Sequence, residues 1–465
     1  MNQICGNQKE IFRWLISIVA VAVALCSSAV NAKNVILIIG DGMDDNQITI
    51  ARNYLTGSKG KLLVDRLPVR SAVQVLSVAE DDPQRAIYVA DSANSATSMA
   101  TGAITSPGRV GTTAKTDRDL ANIVELVQQH NIKVGLVTTA SVTDATPASF
   151  YAHVNERGCE NPYAMVDYEK YAGIVIDCSQ DLKRNGGLGS ISEQLAMAGV
   201  DVVLGGGMKH FAPIAESAQV TVLELAQQQG FKVITTADEL QGSHGSKLLG
   251  LFSPSTMPVK WRGEHGREAE KPKKSFLNRF HSLLGSVTYP EPMICEQNPD
   301  YAGMPSLASM TATALVELGD SENGFFLMVE SASIDKQAHE RRACGSIGEL
   351  QQLDESLAVA VEFAKSSPDT LILVTADHGH AAQILSERTI YDSIDIPIYS
   401  PGYLVRLNTP EGAVMTVNYA TNNFVSEEHT GVTVPLLSNQ VGAGIVPAMI
   451  GQPDIFDIVR DYLTN

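Results

Sequence analysis

The chain predicts an α/β fold: a single large domain with a central, mainly parallel sheet and helices on both faces. Two observations carry this. Continuous apolar, β-branched runs recur along the 465 residues, and stretches of helical periodicity separate them. A third observation removes the main alternatives. With 44% hydrophobic and only 18% charged residues, the chain has ample material for a core and is not disordered. Its net charge of −18 speaks against a nucleic-acid partner, because such binding rests on Lys and Arg neutralising phosphates.

The elements follow in order. Lys9 and Arg13 precede the apolar run 14–26, and Val30-Asn31-Ala32 resembles a small-residue cleavage site. This is the pattern of a signal peptide cut after Ala32, which leaves residues 33–465 as one exported domain. The apolar run is too short to span a membrane comfortably, since a span takes about 20 residues. No second span follows. Strands are expected at 35–39, 86–90, 134–139, 202–204, 325–329 and 371–375, and helices at 120–129, 191–198, 307–318 and 350–364. The stretch from Arg262 to Pro292 is polar, rich in Lys and Arg and aperiodic, and reads as a surface insertion. Past residue 32 four cysteines remain: Cys159, Cys178, Cys295 and Cys344. An even number in an exported chain reads as two disulfides, with three possible connectivities.

The acids are the informative feature. Predicted strands run directly into Asp41, Asp91-Ser92, Glu330 and Asp377-His378. Ligands bind at the carboxyl ends of strands in doubly wound sheets. One acid at a strand end is usually a cap or a turn former, but four gathered at one edge repel unless cations neutralise them. A site for several metal ions is the economical reading. Asp335 and His339 stand at i and i+4, on one face if that segment is helical, and His429 lies in Glu-Glu-His-Thr-Gly. Mixed Asp/His ligation suits zinc; carboxylate, hydroxyl and water ligation suits magnesium. Ser92 is read at the first turn of a helix, whose free N–H groups favour phosphate. A Ser beside zinc can ionise and act as a nucleophile.

Six segments together resemble the alkaline phosphatases, most closely the Escherichia coli type. They are Ile-Gly-Asp-Gly-Met at 39–43, Asp-Ser-Ala at 91–93, Thr-Asp-Ala-Thr-Pro at 143–147, the run 329–339, Thr-Ala-Asp-His-Gly-His at 375–380 and Glu-His-Thr-Gly at 428–431. The resemblance implies hydrolysis of small phosphate monoesters through a phosphoserine at Ser92, with two Zn2+ and one Mg2+ per subunit. One zinc takes Asp335, His339 and His429; the second takes Asp41, Asp377 and His378. Magnesium shares Asp41 and adds Thr146 and Glu330. Arg157 matches the phosphate-clamping arginine, a role that suits its bidentate fork. Asp144 and Lys336 match the acid and lysine of the bacterial type; Asp144 is expected to orient magnesium-bound water and Lys336 to attract phosphate through water. The family's cysteines match the local pairing, 159–178 and 295–344, and the family implies a homodimer.

Three departures stand out. Asp44 replaces the glycine common after Gly-Asp-Gly-Met and is expected to add an outward-facing negative charge near the metals. Ala338 stands where the Escherichia coli type has an acid. The arm that precedes the first strand in that type, and that closes over the neighbouring subunit, is missing here, which puts the dimer interface in doubt. The rival readings are a related metal-dependent phosphodiesterase or sulfatase and a non-catalytic periplasmic phosphate- or zinc-binding protein.

Overall fold

Ten strands are hydrogen-bonded into one sheet in a computed structural model that describes residues 32–465 apart from 172, 173, 217, 244, 246 and 391–395. Residues 1–31 of the predicted signal peptide therefore lie outside the described residues. In chain order the strands are β1 (Asn34–Gly40), β2 (Val69–Gln74), β3 (Lys133–Ser141), β4 (Val202–Gly206) and β5 (Lys232–Ile234), then β6 (Leu248–Leu251), β7 (Phe325–Ser331), β8 (Thr370–Ala376), β9 (Val434–Ser438) and β10 (Met449–Gly451). In space they run β10-β2-β9-β8-β1-β7-β3-β4-β6-β5. Only the pairings of β9 with β8 and with β2 are antiparallel.

Every residue of β1, β7 and β8 is buried. Side chains alternate between the two faces of a strand, so both faces of the sheet are covered, as the continuous apolar runs predict. Among the covering elements, helix Leu307–Leu318 and the long helix Ala343–Ser366 pack against each other and against the sheet. Residues Lys33–Asn465 form one compact unit. The helix expected at 120–129 starts at Ile123, because Asn122 caps it in a reciprocal pair with Glu125 while the Leu120 N–H is taken by the Gly111 carbonyl. The helix expected at 350–364 begins earlier, at Ala343.

The run 86–90 is corrected. Only Ala86–Ile87 is a strand, and it pairs with Ser77–Val78 away from the large sheet. Tyr88 is 74% exposed and Val89 42%, so the run lacks the burial a central strand needs. Three central strands, not four, deliver acids to the edge. Their registers align: Ile39 lies opposite Glu330, and Gly40 lies opposite both Ser331 and Ala376. Asp41, Glu330 and Asp377 therefore emerge at one level.

Both disulfides form as expected, Cys159–Cys178 and Cys295–Cys344. The stretch 262–292 holds only short elements and is largely exposed, the surface insertion its composition predicts.

Candidate active site

Asp41 sits in a turn that only a glycine can complete. Gly42 has φ +68°, and a Cβ there would lie 3.2 Å from the Cβ of Asp335. The Gly42 N–H donates to Asp377 Oδ1 at 3.0 Å, which also accepts from the His378 N–H at 2.9 Å. Glu330, on β7, accepts from the hydroxyls of Thr138 and Thr146. Helix Ser92–Thr101 begins at Ser92, and its cap is Asp91, in a reciprocal pair with Asn94. Ser92 is thus free of the capping role. Its Oγ is buried 3.3 Å from His378 Nε2.

The hydrogen-bond network assigns a tautomer to each clustered imidazole. His339 Nδ1 faces the Glu427 carbonyl, His429 Nδ1 faces the Ala90 carbonyl at 2.8 Å, and His378 Nδ1 faces the Gly379 carbonyl at 3.3 Å. A carbonyl only accepts, so each of these rings carries its hydrogen on Nδ1 and presents an Nε2 lone pair to the site. Ligating histidines are held in this way. His380 is the reverse. Its Nδ1 accepts from the Ala381 N–H at 2.7 Å, so its hydrogen is on Nε2, facing Asp335 Oδ1 at 3.2 Å.

Two groups of side chains have the spacing of metal ligands: Asp335, His339, His380 and His429, and Asp41, Asp335 and His378. Asp377 Oδ2 lies 3.4 Å from His378 Nε2, beside the second group. Among the described residues, Asp41 Oδ1 and Asp377 Oδ2 are buried without a hydrogen-bond donor. The Nε2 atoms of His339 and His429 face each other at 3.1 Å, lone pair to lone pair in these tautomers. Burial, then repulsion from Asp335 and Asp377, pushes the Asp41 carboxyl well above its usual range. Burial pushes Glu330 up to about 7 and Asp377 up to about 6. Burial likewise opposes ionisation of Asp335, yet the facing His380 imidazole, with its hydrogen on Nε2, holds it well below the usual range. Acids that resist ionising beside lone pairs with no donor form a site that cations would complete.

Arg157, which no local pattern singles out, joins the site through two carboxylates. Its Nη2 donates to Asp144 Oδ1 at 3.0 Å and its Nη1 to Asp91 Oδ2 at 3.3 Å. Lys336 Nζ donates to the other oxygen, Asp144 Oδ2, at 2.6 Å. Burial opposes the Asp144 charge, but Lys336 and Arg157 hold that carboxyl well below its ordinary value.

The model of the family described as Alkaline phosphatase matches residues 32–442. The chain belongs to the alkaline phosphatase family. It is 37% identical over 443 residues to Alkaline phosphatase H of Pseudomonas aeruginosa, covering 93% of this chain and 85% of that protein. It is 38% identical to the Alkaline phosphatase of Escherichia coli, covering 93% and 86%. The alkaline phosphatase structure from the Antarctic bacterium TAB5 shares the fold, with a TM-score of 0.65 at 21% identity over 93% of this chain and 98% of that one. The chain is accordingly a phosphoric monoester hydrolase of a metal-dependent family.

Against the alkaline phosphatase pattern, the structure revises one departure and adds three residues. Asp44 is not outward-facing. It is 3% exposed and caps helix Asp45–Thr56, accepting from the N–H groups of Asn46 and Gln47. Ala338 is fully buried. His380 belongs to the cluster although sequence reasoning gave it no role; a second His two residues after Asp377-His378 was the signal. Asp91 is the helix cap and a holder of Arg157. Glu349 is the third. Helix Ser333–His339, which carries Asp335, has no side-chain cap of its own. The buried Glu349 carboxylate accepts from Ser331, Thr139 and the Ser333 N–H around its start. Nothing local in the sequence marks Glu349.

Proposed function

We propose that hydrolysis proceeds through a phosphoserine on Ser92, with two zinc ions and one magnesium ion per subunit. Asp335, His339 and His429 would hold the first zinc and Asp41, Asp377 and His378 the second. Glu330, Thr146 and a shared Asp41 would hold magnesium. The observation that carries this is the set of donorless carboxylate oxygens and inward Nε2 lone pairs gathered around a buried serine hydroxyl. Three imidazoles and several carboxylates are a donor set for zinc; Glu330 with a threonine hydroxyl is one for magnesium. Bound there, divalent cations supply a lowered pKa for the serine hydroxyl and charge neutralisation for the departing oxygen.

The residues do the rest. Ser92 Oγ forms a bond to phosphorus as the bond from phosphorus to the alcohol oxygen breaks. Its place at a helix start aims free N–H groups at the phosphoryl oxygens. Arg157, pinned by Asp91 and Asp144, offers its fork to two of those oxygens. Water then cleaves the serine ester, releasing phosphate and restoring the hydroxyl. His380 and Glu349 orient Asp335 and the helix that carries it.

Export through residues 1–32 and a homodimer belong to the same proposal. The two formed disulfides support export, since such bonds persist in oxidising compartments. The decisive experiment is acid trapping of labelled phosphoenzyme in the native protein and in Ser92→Ala. The variant should form no phosphoenzyme and lose roughly a thousandfold or more in rate while retaining zinc. Wild-type turnover in the variant would refute the role of Ser92.

A further inference from the structure

The insertion on the surface reverses the usual placement of polar and apolar groups. Between Glu270 and Glu291 the chain carries Lys271, Lys273, Lys274 and Arg279 and no acid, in a protein with 52 acidic and 34 basic residues. All four cations are exposed, and among the described residues none is in an ion pair. Lys274 Nζ lies 4.0 Å from the centre of the Tyr399 ring. Beside them five large apolar side chains face solvent: Phe276 is 70% exposed, Leu277 54%, Phe280 72%, Leu283 63% and Leu284 50%. The polar groups turn inward instead. Ser275 Oγ accepts from the N–H groups of Asn278 and Ser286, and the buried Asn278 donates to the Ser282 carbonyl at 3.1 Å. The loop therefore holds its shape through its own hydrogen bonds while presenting Phe and Leu to water. Exposed apolar side chains gathered in one place mark an interaction surface.

The charges choose the occupant. A second copy meeting this patch through a two-fold axis would set the same cations against themselves. An anionic bilayer offers negative headgroups to the four cations and an apolar layer to the Phe and Leu side chains at once. We propose that residues 271–284 are a docking surface for membranes rich in anionic phospholipid. Docking is peripheral: no helix among the described residues is long and apolar enough to cross a membrane.

The test is co-sedimentation of the metal-loaded protein with vesicles of phosphatidylcholine alone or mixed equally with phosphatidylglycerol. Binding is expected only to the mixed vesicles and should weaken as salt is raised. Each cation near an anionic surface is worth about fivefold, so Lys273→Gln with Lys274→Gln should weaken binding about 30-fold (~2 kcal/mol). Phe276→Ser with Phe280→Ser should weaken it at least about tenfold through lost insertion. Hydrolysis of a soluble monoester should be unchanged in both variants, which shows that they fold. Equal binding to both vesicle types, or none, would overturn the proposal. So would a change of oligomeric state in the Phe variant without vesicle binding, which would make the patch a protein interface.

Discussion

Two clusters of acids in this molecule behave oppositely. At the sheet edge, Asp41, Asp377 and Glu330 crowd one another, their carboxyls pushed up by burial, and among the described residues nothing donates to Asp41 Oδ1 or Asp377 Oδ2. Near residue 109, the buried Arg109 guanidinium donates to Glu80 from Nε and Nη2 at 2.7 Å each, and its Nη1 pairs with Asp117. Hydrogen bonds from Arg109, then from Ser106 and Lys115, hold Glu80 down to about 2 against partial burial. The second cluster is complete in itself. The first is complete only with cations. Clustered acids alone do not mark a site; acids left without donors do.

The largest break should come at Asp335, the carboxylate that both ligand-spaced groups contain. Asp335→Asn keeps the shape but removes the charge that three imidazoles face at 3.2–3.4 Å. Zinc content should fall and kcat should drop by about two to three orders of magnitude, measured with metal analysis on the same sample. Full zinc occupancy with native activity would place Asp335 with the self-sufficient cluster.

The tautomers sharpen the comparison within the site. His429→Ala should lose zinc outright, with activity partly restored by excess metal. His380→Ala, removing an orienting ring and no ligand, should weaken zinc by only about 10–100-fold in chelator competition. Equal losses in the two variants would erase the distinction between them.

Lys336 tests whether a cation beside the site serves substrate or only its partner Asp144. Lys336→Ala should raise the phosphate inhibition constant and KM by roughly fivefold (~1 kcal/mol) with kcat held or increased, because binding shared by product and transition state slows release without aiding chemistry. An unchanged inhibition constant would leave Lys336 only its ion pair.

The smallest effect lies at the complete cluster. Glu80 has a lowered folded-state pKa, so its stabilisation is present above the ordinary value of 4.5 and is lost as pH falls toward about 2. Glu80→Gln should flatten the acid limb of the melting curve between those values and cost about 1 kcal/mol or less at neutral pH, since the carboxylate is half-exposed. Monoester hydrolysis should not change. Thermal melts of the two proteins across that range decide it.

Much of this was legible in the chain itself. The apolar runs of β1, β7 and β8 determine a sheet buried on both faces, because a strand covered on both sides has no polar alternation to show. Asp41, Glu330 and Asp377 are determined as edge residues because each follows or ends such a run. Asp335 and His339 share a face by helical spacing alone. What the sequence could not decide is where the folded backbone sets the answer. The run 86–90 is apolar and β-branched, yet no strand of the sheet pairs with it, and His429 holds its end through the Ala90 carbonyl. Asp44 is an acid like its neighbours, and only the start of helix Asp45–Thr56 turns it inward as a cap. His378 and His380 differ by two positions and by nothing in composition. A carbonyl opposite one Nδ1 and an N–H opposite the other give the two rings opposite tautomers, and only packed backbone supplies those partners.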